Sequence, residues 1–578
     1  MNIKSRYLLI LAISSLCVFV QCNTAKEPER PNKVFEQMGL INLIVCWVIT
    51  IAIILGGCSL QDKKTKPETP NVLFIIADDY GYHDLSSTGS NYYETPNLDR
   101  LADRSMVFTR GYAANRVCSP SRASIMSGKS PARHGITDYI GAPTGTDWRK
   151  VGRHTNWHKK GRHSKLLPPA YVDHLPHEYQ VWPEAMKKEG YKTFYAGKWH
   201  LGEEGSYPED HGFDINQGGF EAGGPYTGGY FSPFNNPKME DHPEEKGMSL
   251  PEKLAKETSS FIKANQDTSF FAVLSFYAVH APIQTTQEYW KKYRDKADSL
   301  GIAENGFEMG YILPIRQVQD NPVYAGLVQH MDDAVGQVLA TLREQGLEDE
   351  TIVIFTSDHG GVAAGDDYAT SNKPLRGGKG YQYEGGLRVP YFISVPWMDH
   401  QGTENDTPVI GMDFYPTVLD LIGAELRPDE HEDGVSLVPL LAGKTMEERP
   451  LYWHYPHYGN QGGRPSSVIR QGKWKLIRYH ADSSEVLYDL EVELSEQADL
   501  SGEHSEVADR LSKKLMSYLK RTGAKFPRPD PQYDPQKEAE YLKKIENELL
   551  PKLEEERMEF LSPNYSPGNN WWGNQIGQ

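Results

Sequence analysis

Cysteine is almost missing from this 578-residue chain: four of its five cysteines, Cys17, Cys22, Cys46 and Cys58, fall in the first 60 residues, and only Cys118 follows. A disulfide framework in the rest of the chain is therefore excluded within one molecule. Positive charge is also in short supply. With 61 Lys and Arg against 78 Asp and Glu, the formal charge is −17. That balance excludes general nucleic-acid binding, which draws its affinity from cations neutralising phosphates. Internal repeats and low-complexity tracts are absent from the long middle section, and 38% hydrophobic residues with 52 Gly and 38 Pro fit a loop-rich globular enzyme. Any anionic ligand must then meet a local basic patch.

Residues 1–66 read as address and linker. Lys4 and Arg6 precede an apolar run over residues 7–21, the plan of a secretory signal. A second run, residues 39–57, carries no charge over 19 residues and leads into Leu55-Gly56-Gly57-Cys58. That ending resembles a bacterial lipobox. The resemblance implies lipid attachment at Cys58 and an exported protein held to a membrane, in the periplasm or at the outer membrane. A membrane-spanning helix is the alternative for the same run. Met38 offers an alternative start that leaves a single export signal.

The first strong strand signal is Asn71-Val-Leu-Phe-Ile-Ile-Ala77, a continuous apolar run of the kind buried on both faces, and it stops at Asp78-Asp79. Thr351-Ile-Val-Ile-Phe-Thr-Ser357 repeats the pattern and stops at Asp358-His359-Gly360. Similar runs over residues 192–196 and 270–277 lead to Lys198-Trp199-His200 and to His280-Ala281-Pro282. Helical signals lie between them, over residues 95–102, with Thr95 as the cap before Pro96, and over residues 324–345. This alternation predicts an α/β domain over residues 67–447. Its large, mostly parallel sheet, with helices on both faces, binds ligands beyond the carboxyl ends of the strands. Past residue 448 the runs 467–478 and 486–490 predict an antiparallel hairpin, followed by a helix over 505–520. A smaller C-terminal α+β subdomain over 448–530 is expected. Residues 527–535 read as a stiff linker to a charged helix over 536–560 and an irregular tail, which sets 531–578 apart.

A lone cysteine is ordinarily a buried small hydrophobe. Cys118 differs in its neighbours. Val117-Cys-Ser-Pro-Ser-Arg-Ala-Ser-Ile-Met-Ser-Gly128 resembles the activation signature C-x-P-x-R of the type I, formylglycine-dependent sulfatases of the alkaline phosphatase superfamily. The stretch Pro374-Leu-Arg-Gly-Gly-Lys379, continuing to Pro390, resembles a second signature of the same enzymes. The resemblance spans roughly residues 70–525. It implies an alkaline phosphatase-like fold and hydrolysis of sulfate esters. It also implies a maturation enzyme that oxidises Cys118 to formylglycine (3-oxoalanine). The hydrated aldehyde offers two geminal hydroxyls, one to attack sulfur and one to expel sulfate afterwards, so no water need attack sulfur.

By the same resemblance, Asp78, Asp79, Asp358, His359 and the modified Cys118 ligate Ca²⁺, with Mg²⁺ as the alternative. His359 stands where the family more often has Asn. Arg122 holds the formylglycine, and Lys198 and Lys379 bind the sulfate oxygens. His200 and His280 do the proton work, His280 on the leaving alcohol. His454, His457 and Arg464 are further substrate contacts, because the family lines its cleft from the start of the small subdomain.

Residues 148–165 hold seven Lys or Arg and no acid. This run is expected at the pocket mouth, where it attracts a polyanion and Trp148 or Trp157 stacks on sugar. The expected substrate is a sulfated polysaccharide, algal ulvan or carrageenan ahead of a host glycosaminoglycan. Two other functions share these residues. One is a phosphatase or phosphonate hydrolase of the same superfamily. The other is an inactive surface protein that binds glycans.

Overall fold

A computed structural model of the protein describes residues 65–150 and 164–567. The export-like runs, Cys58, the basic residues 151–163 with Trp157, and residues 568–578 lie outside the described residues. Among those described, no helix is long and apolar enough to cross a membrane.

The central sheet has eight strands. In chain order they are β1 (Asn71–Ala77), β2 (Met106–Phe108), β3 (Lys192–Gly197), β4 (Ile215–Gln217), β5 (Phe270–Ser275), β6 (Thr351–Ser357), β7 (Tyr391–Ser394) and β8 (Thr403–Asn405). Their spatial order is β8-β2-β7-β6-β1-β5-β3-β4. From β6 to β4 every pairing is parallel, whereas β7 runs antiparallel to both β6 and β2. The sheet is thus mostly parallel with an antiparallel interruption towards one edge.

Successive side chains of a strand point to opposite faces, and β1 divides accordingly. Leu73, Ile75 and Ala77 pack into the cluster that contains helices α1 (Pro96–Ala102), α4 (Leu250–Ala264), α5 (Gln287–Leu300) and α6 (Pro322–Glu344). Val72, Phe74 and Ile76 face α2 (Cys118–Ser127), α3 (Trp182–Lys188) and α7 (Phe414–Ile422). Phe74 meets Trp182 and Phe414 edge-on, each at 5.1 Å. A sheet covered on both sides explains why its central strands are continuous apolar runs.

Thr95 does precede α1, but its hydroxyl turns to Ser86 and Asp99 and does not cap the helix. The carboxylate of Asp332 on α6 serves that end instead, accepting from the backbone N–H of Asn97 at 3.1 Å and of Leu98 at 2.8 Å. A tertiary acceptor has replaced the local one.

A second, antiparallel sheet of four strands follows: β9 (Leu451–Tyr455), β10 (Ser466–Gln471), β11 (Trp474–Tyr479) and β12 (Glu485–Asp489). Helix α8 (Ser505–Arg521) covers one of its faces through Leu511, Leu515 and Leu519. The segment after α8 is more than a spacer, since Arg528–Pro529 pairs with Leu166–Leu167. The last helical stretch, from Pro535 to Leu561 through one π turn, packs back onto the α/β layers. There the buried Arg557 donates to Asp320 at 2.7 Å and to the carbonyl of Ala303 at 2.8 Å.

One buried ionic group links the two sheets. Lys475 on β11 lies 2.9 Å from both Glu384 and Glu496, and all three side chains are out of contact with water. Removing one member of such a group strands the charge of the others, which costs about 3–5 kcal/mol. Lys475→Ala is therefore expected to destabilise the fold by about that amount, read as a lower urea midpoint against wild type.

Candidate active site

The site begins with a register. Strands β1 and β6 are parallel and in step to their last pair, Ala77 with Ser357, so Asp78-Asp79 and Asp358-His359 emerge side by side at their carboxyl ends. All four are fully buried, and one ligand atom from each lies within 4.8 Å of the others. Asp79 adopts a left-handed backbone, φ 63°, which turns the chain sharply and lets its N–H donate to Asp358 Oδ1 at 3.2 Å. Gly360 follows because space runs out: a Cβ there would sit 1.8 Å from the carbonyl oxygen of Gly385.

Basic groups surround these acids. Lys198, beyond β3, donates to Asp78 at 2.7 Å, and Lys379 donates to Asp79 at 2.9 Å. Arg122, one turn into α2, donates through Nε to Asp358 at 2.8 Å and through Nη1 to Ser275 Oγ and the Lys198 carbonyl. His280 Nε2 lies 3.8 Å from Asp79. Cys118 is the first residue of α2, at the partly positive end of the helix. Burial alone would raise its thiol, but Lys198 and then His200 outweigh it and hold the pKa well below the usual thiol range.

A cation fits this group on the chemistry of its donors. The carbonyl of Gly360 can only accept, so His359 donates to it from Nδ1 at 3.1 Å. Its Nε2 lone pair then faces Asp79 Oδ1 at 3.2 Å and Asp358 Oδ1 at 3.5 Å. Three electron-rich atoms at such distances demand a positive charge among them. In the protein alone a proton fills that need: burial would lower the imidazole, yet Asp358 foremost among the charges raises it to about 9. Asp78 behaves likewise: burial raises its carboxyl well above the usual range, with Lys198 opposing and Asp358 and Asp79 adding to the rise. The Asp78 Oδ1 is buried without a hydrogen-bond partner, the Arg122 guanidinium coming no nearer than 3.7 Å. Three carboxylates and one imidazole suit a hard divalent ion.

The residues expected at the site, Asp78, Asp79, Cys118, Arg122, Lys198, His200, His280, Asp358, His359 and Lys379, are thus gathered at the strand ends. His454 is not available for substrate. Both its ring nitrogens are taken, Nδ1 by Ser467 at 2.7 Å and Nε2 by the Lys525 carbonyl at 2.9 Å, and burial lowers its pKa to about 4. His457 is fully buried against Thr137 and Asp138. Arg464 lies over the rings of Tyr479 and Tyr311, at 3.5 and 4.4 Å. It lines a cavity of about 490 Å³ that borders none of the ten residues above. Trp148 is buried and stacked on Tyr458 at 5.6 Å, so it offers no face to a sugar.

Two residues at the site escaped the sequence reading. Asp366 lies 3.7 Å from Lys379 and accepts from Gln461 at 2.5 Å. It opens a run of three consecutive non-glycine residues in the left-handed region, Asp366, Asp367 and Tyr368 at φ 37°, 63° and 48°. Such residues cost of order 1–3 kcal/mol each and persist where the surroundings impose them. Here Asp367 accepts from the Ile283 N–H at 3.2 Å, and the Tyr368 ring packs on Phe307. Tyr226 is the other, 58% exposed with its ring edge-on to His280 at 5.8 Å. An Asp-Asp pair in a loop and one tyrosine among 33 give no sequence signal.

Carboxylates that could hold a metal ion, ringed by basic groups and by a cysteine at a helix start, sit at the strand ends of an alkaline phosphatase-like α/β fold, the arrangement of an ester hydrolase. The comparisons with known proteins carry the assignment further. The family model described as Sulfatase matches residues 70–424, and that for the C-terminal part of N-sulphoglucosamine sulphohydrolase matches residues 378–522. The chain is 29% identical over 562 residues to a sulfatase of Formosa agariphila, covering 85% of this chain and 95% of that protein. It is 28% identical over 411 residues to N-acetylgalactosamine-6-sulfatase of Canis lupus familiaris, covering 67% and 69%. The solved structure of Ps i-CgsB in complex with k-i-k-neocarrahexaose shares the fold, with TM-score 0.62 at 23% identity, over 84% of this chain and 99% of that one. This chain belongs to the sulfatase family and is a sulfuric ester hydrolase.

A bound ion stabilises the folded state by mass action, about 2.7 kcal/mol at a hundredfold excess over Kd. Chelation followed by dialysis is expected to lower the melting temperature, and millimolar Ca²⁺ or Mg²⁺ to restore it. Asp78→Asn is expected to blunt the restoration; an identical rise in that variant would place the ion elsewhere.

Proposed function

We propose that the protein removes sulfate from a sulfated polysaccharide or its oligosaccharides, using formylglycine made from Cys118. The observation that carries this reading is the seat of Cys118. It is the first residue of α2, with Arg122 one turn on tied to Asp358 at 2.8 Å and Lys198 tied to Asp78. Oxidised and hydrated, this position supplies one hydroxyl to attack sulfur and a second to expel sulfate. Ca²⁺, with Mg²⁺ as the alternative, would be held by Asp78, Asp79, Asp358 and His359, and when bound lowers the pKa of the attacking hydroxyl.

The remaining roles follow from where each group points. Lys198 contacts Asp78, Lys379 contacts Asp79 and more distantly Asp366, and each supplies further ammonium protons for the ester's oxygens. His200 donates from Nε2 to the Ile140 carbonyl at 3.2 Å, which leaves Nδ1 as the acceptor for a hydroxyl proton. His280 donates from Nδ1 to the Ala281 carbonyl at 2.6 Å, which leaves Nε2 towards the site. Burial, then Lys379 and Lys198, keep that imidazole neutral at rest. Nε2 then carries no proton of its own, so the Lys379 ammonium beside it supplies the proton that the leaving alcohol takes, directly or after transfer to Nε2.

Two of the similar proteins point to a sugar ester, one named for N-acetylgalactosamine 6-sulfate and one solved with a neocarrahexaose, although steryl-sulfatase of Rattus norvegicus is equally similar at 29% identity. Ulvan or carrageenan is the polymer this reading puts first. The superfamily's phosphatases and phosphonate hydrolases mostly use Ser or Thr with two zinc ions, whereas Cys118 sits in C-x-P-x-R and the described residues hold one ligand group. An inactive glycan-binding protein has no use for the full set of ten residues. The enzyme is exported and held to a membrane by lipid on Cys58. Cys58→Ala is expected to move it from the membrane fraction to the soluble one.

Mass spectrometry of the peptide containing Cys118 from active enzyme is expected to show formylglycine. Cys118→Ala should lose sulfate release by roughly 10³-fold or more. Full activity with an unmodified thiol would defeat the proposal.

A further inference from the structure

The segment Gly223-Gly224-Pro225-Tyr226 is laid directly on the two site histidines. A Cβ at Gly223 would lie 2.6 Å from His200 Cε1, and one at Gly224 would lie 2.9 Å from His280 Nδ1. Neither glycine has a positive φ, so what excludes a side chain is the closeness of the imidazoles and, at Gly224, of the Tyr226 ring, whose Cζ would lie 2.7 Å from that Cβ. The next residue but one is Tyr226, whose ring meets His280 edge-on at 5.8 Å while more than half of the residue faces solvent. This segment therefore ends in an exposed aromatic ring at the mouth of the site.

Asp366 stands beside Lys379, at 3.7 Å. It is a fourth carboxylate close to a centre built to hold an anion, and it does not belong to the metal-ligand group of Asp78, Asp79, Asp358 and His359. Its strained turn, fixed by Asp367 on Ile283 and by Gln461 on Asp366 itself, keeps it there. Its side chain keeps about a fifth of its surface in contact with solvent. Tyr226 and Asp366 adjoin neighbouring groups of the site, Tyr226 the ring of His280 and Asp366 the ammonium of Lys379, and those two both approach Asp79 Oδ2, at 3.8 and 2.9 Å.

A carboxylate next to an anion site opposes binding unless the ligand brings donors to it, and like charges placed together reject the wrong partner. Sugar hydroxyls are such donors, and an aromatic face suits the apolar side of a pyranose. We propose that Tyr226 and Asp366 form a sugar subsite adjoining the sulfate-binding centre, in which Tyr226 carries the ring and Asp366 accepts a hydroxyl next to the scissile sulfate. The ligand class is a sugar sulfate whose neighbouring carbon bears a free hydroxyl; a second sulfate there meets the Asp366 charge. This inference rests on the proposed action on sulfated sugars.

The test compares kcat and KM for three kinds of substrate. They are 4-nitrophenyl sulfate, the best monosulfated sugar from a panel of galactose, N-acetylgalactosamine, glucosamine and fucose sulfates, and that sugar with a second sulfate on the adjacent carbon. Wild type is expected to prefer the monosulfated sugar over the disulfated one by at least tenfold in kcat/KM. Asp366→Asn keeps an acceptor and a side chain that tolerates the left-handed backbone but loses the charge, and it should shrink that preference below threefold. Tyr226→Ala should raise KM for the monosulfated sugar at least tenfold, and by a larger factor than for 4-nitrophenyl sulfate. Tyr311→Ala, an exposed tyrosine on the other cavity, serves as control.

A preference that survives Asp366→Asn, equal turnover of both sugars by wild type, or Tyr226→Ala losses equal for sugar and aryl ester would overturn the subsite and leave the sulfatase reading standing. Release from 4-nitrophenyl sulfate but from no sugar would overturn the reading on which it rests.

Discussion

Everything in the site depends on the in-step parallel pairing of β1 with β6. Seven residue pairs run from Asn71 with Thr351 to Ala77 with Ser357, and the next residues on both chains are acids. A slip of one residue would exchange the side chains packed into the two apolar layers, Phe74 with Leu73 or Ile75, and separate the two acidic pairs. Two fully buried layers enforce that register, so the core chooses the geometry of the ligands. Burying Asp78, Asp79 and Asp358 together is unfavourable in itself. Arg122, Lys198 and Lys379 offset it, each within 2.9 Å of one carboxylate. Three acids and three bases cancel formally. A divalent ion held by these residues would leave the site net positive, as an anionic ester requires.

Much of this was legible in the sequence because parallel strands buried on both faces write themselves as unbroken apolar runs. Where such runs stop at Asp-Asp, Asp-His or Lys-Trp-His, the stop marks the binding end of the sheet. Cys118 was legible through Pro120 and Arg122 in a stretch that resembles a family signature. His454 and Trp148 show where residue type misleads. Histidine among aromatics reads as a contact, but the pairing of β9 with β10 sets His454 opposite Ser467, and Lys525 takes its other nitrogen. Trp148 likewise spends its face on Tyr458. Asp366 and Tyr226 were silent for the opposite reason. A left-handed turn imposed by Ile283 and Gln461, and a glycine pair pressed on two imidazoles, are properties of tertiary contact that leave no periodicity behind.

The small antiparallel sheet joins this chemistry mechanically. Glu384, which accepts from Lys475, lies five residues beyond Lys379, and its own N–H donates to Glu496 at 2.6 Å. The other end of the segment between them is held as well, since the Lys379 N–H donates to the Gly361 carbonyl and the Gly380 N–H to the Arg116 carbonyl. Gly463, from the loop joining β9 to β10, approaches so closely that a Cβ would fall 1.7 Å from the Gly380 carbonyl oxygen. Lys379 therefore owes its place against Asp79 to three sources: the strand-end turn after β6, the segment preceding α2, and the second sheet. A buried ion pair is weak evidence for stability, because apolar residues of the same volume often do as well. Its use here is better sought in position. Apolar packing tolerates small slides, whereas Lys475 placed 2.9 Å from two carboxylates fixes where Glu384 must stand. That in turn fixes the loop that presents Lys379 to Asp79.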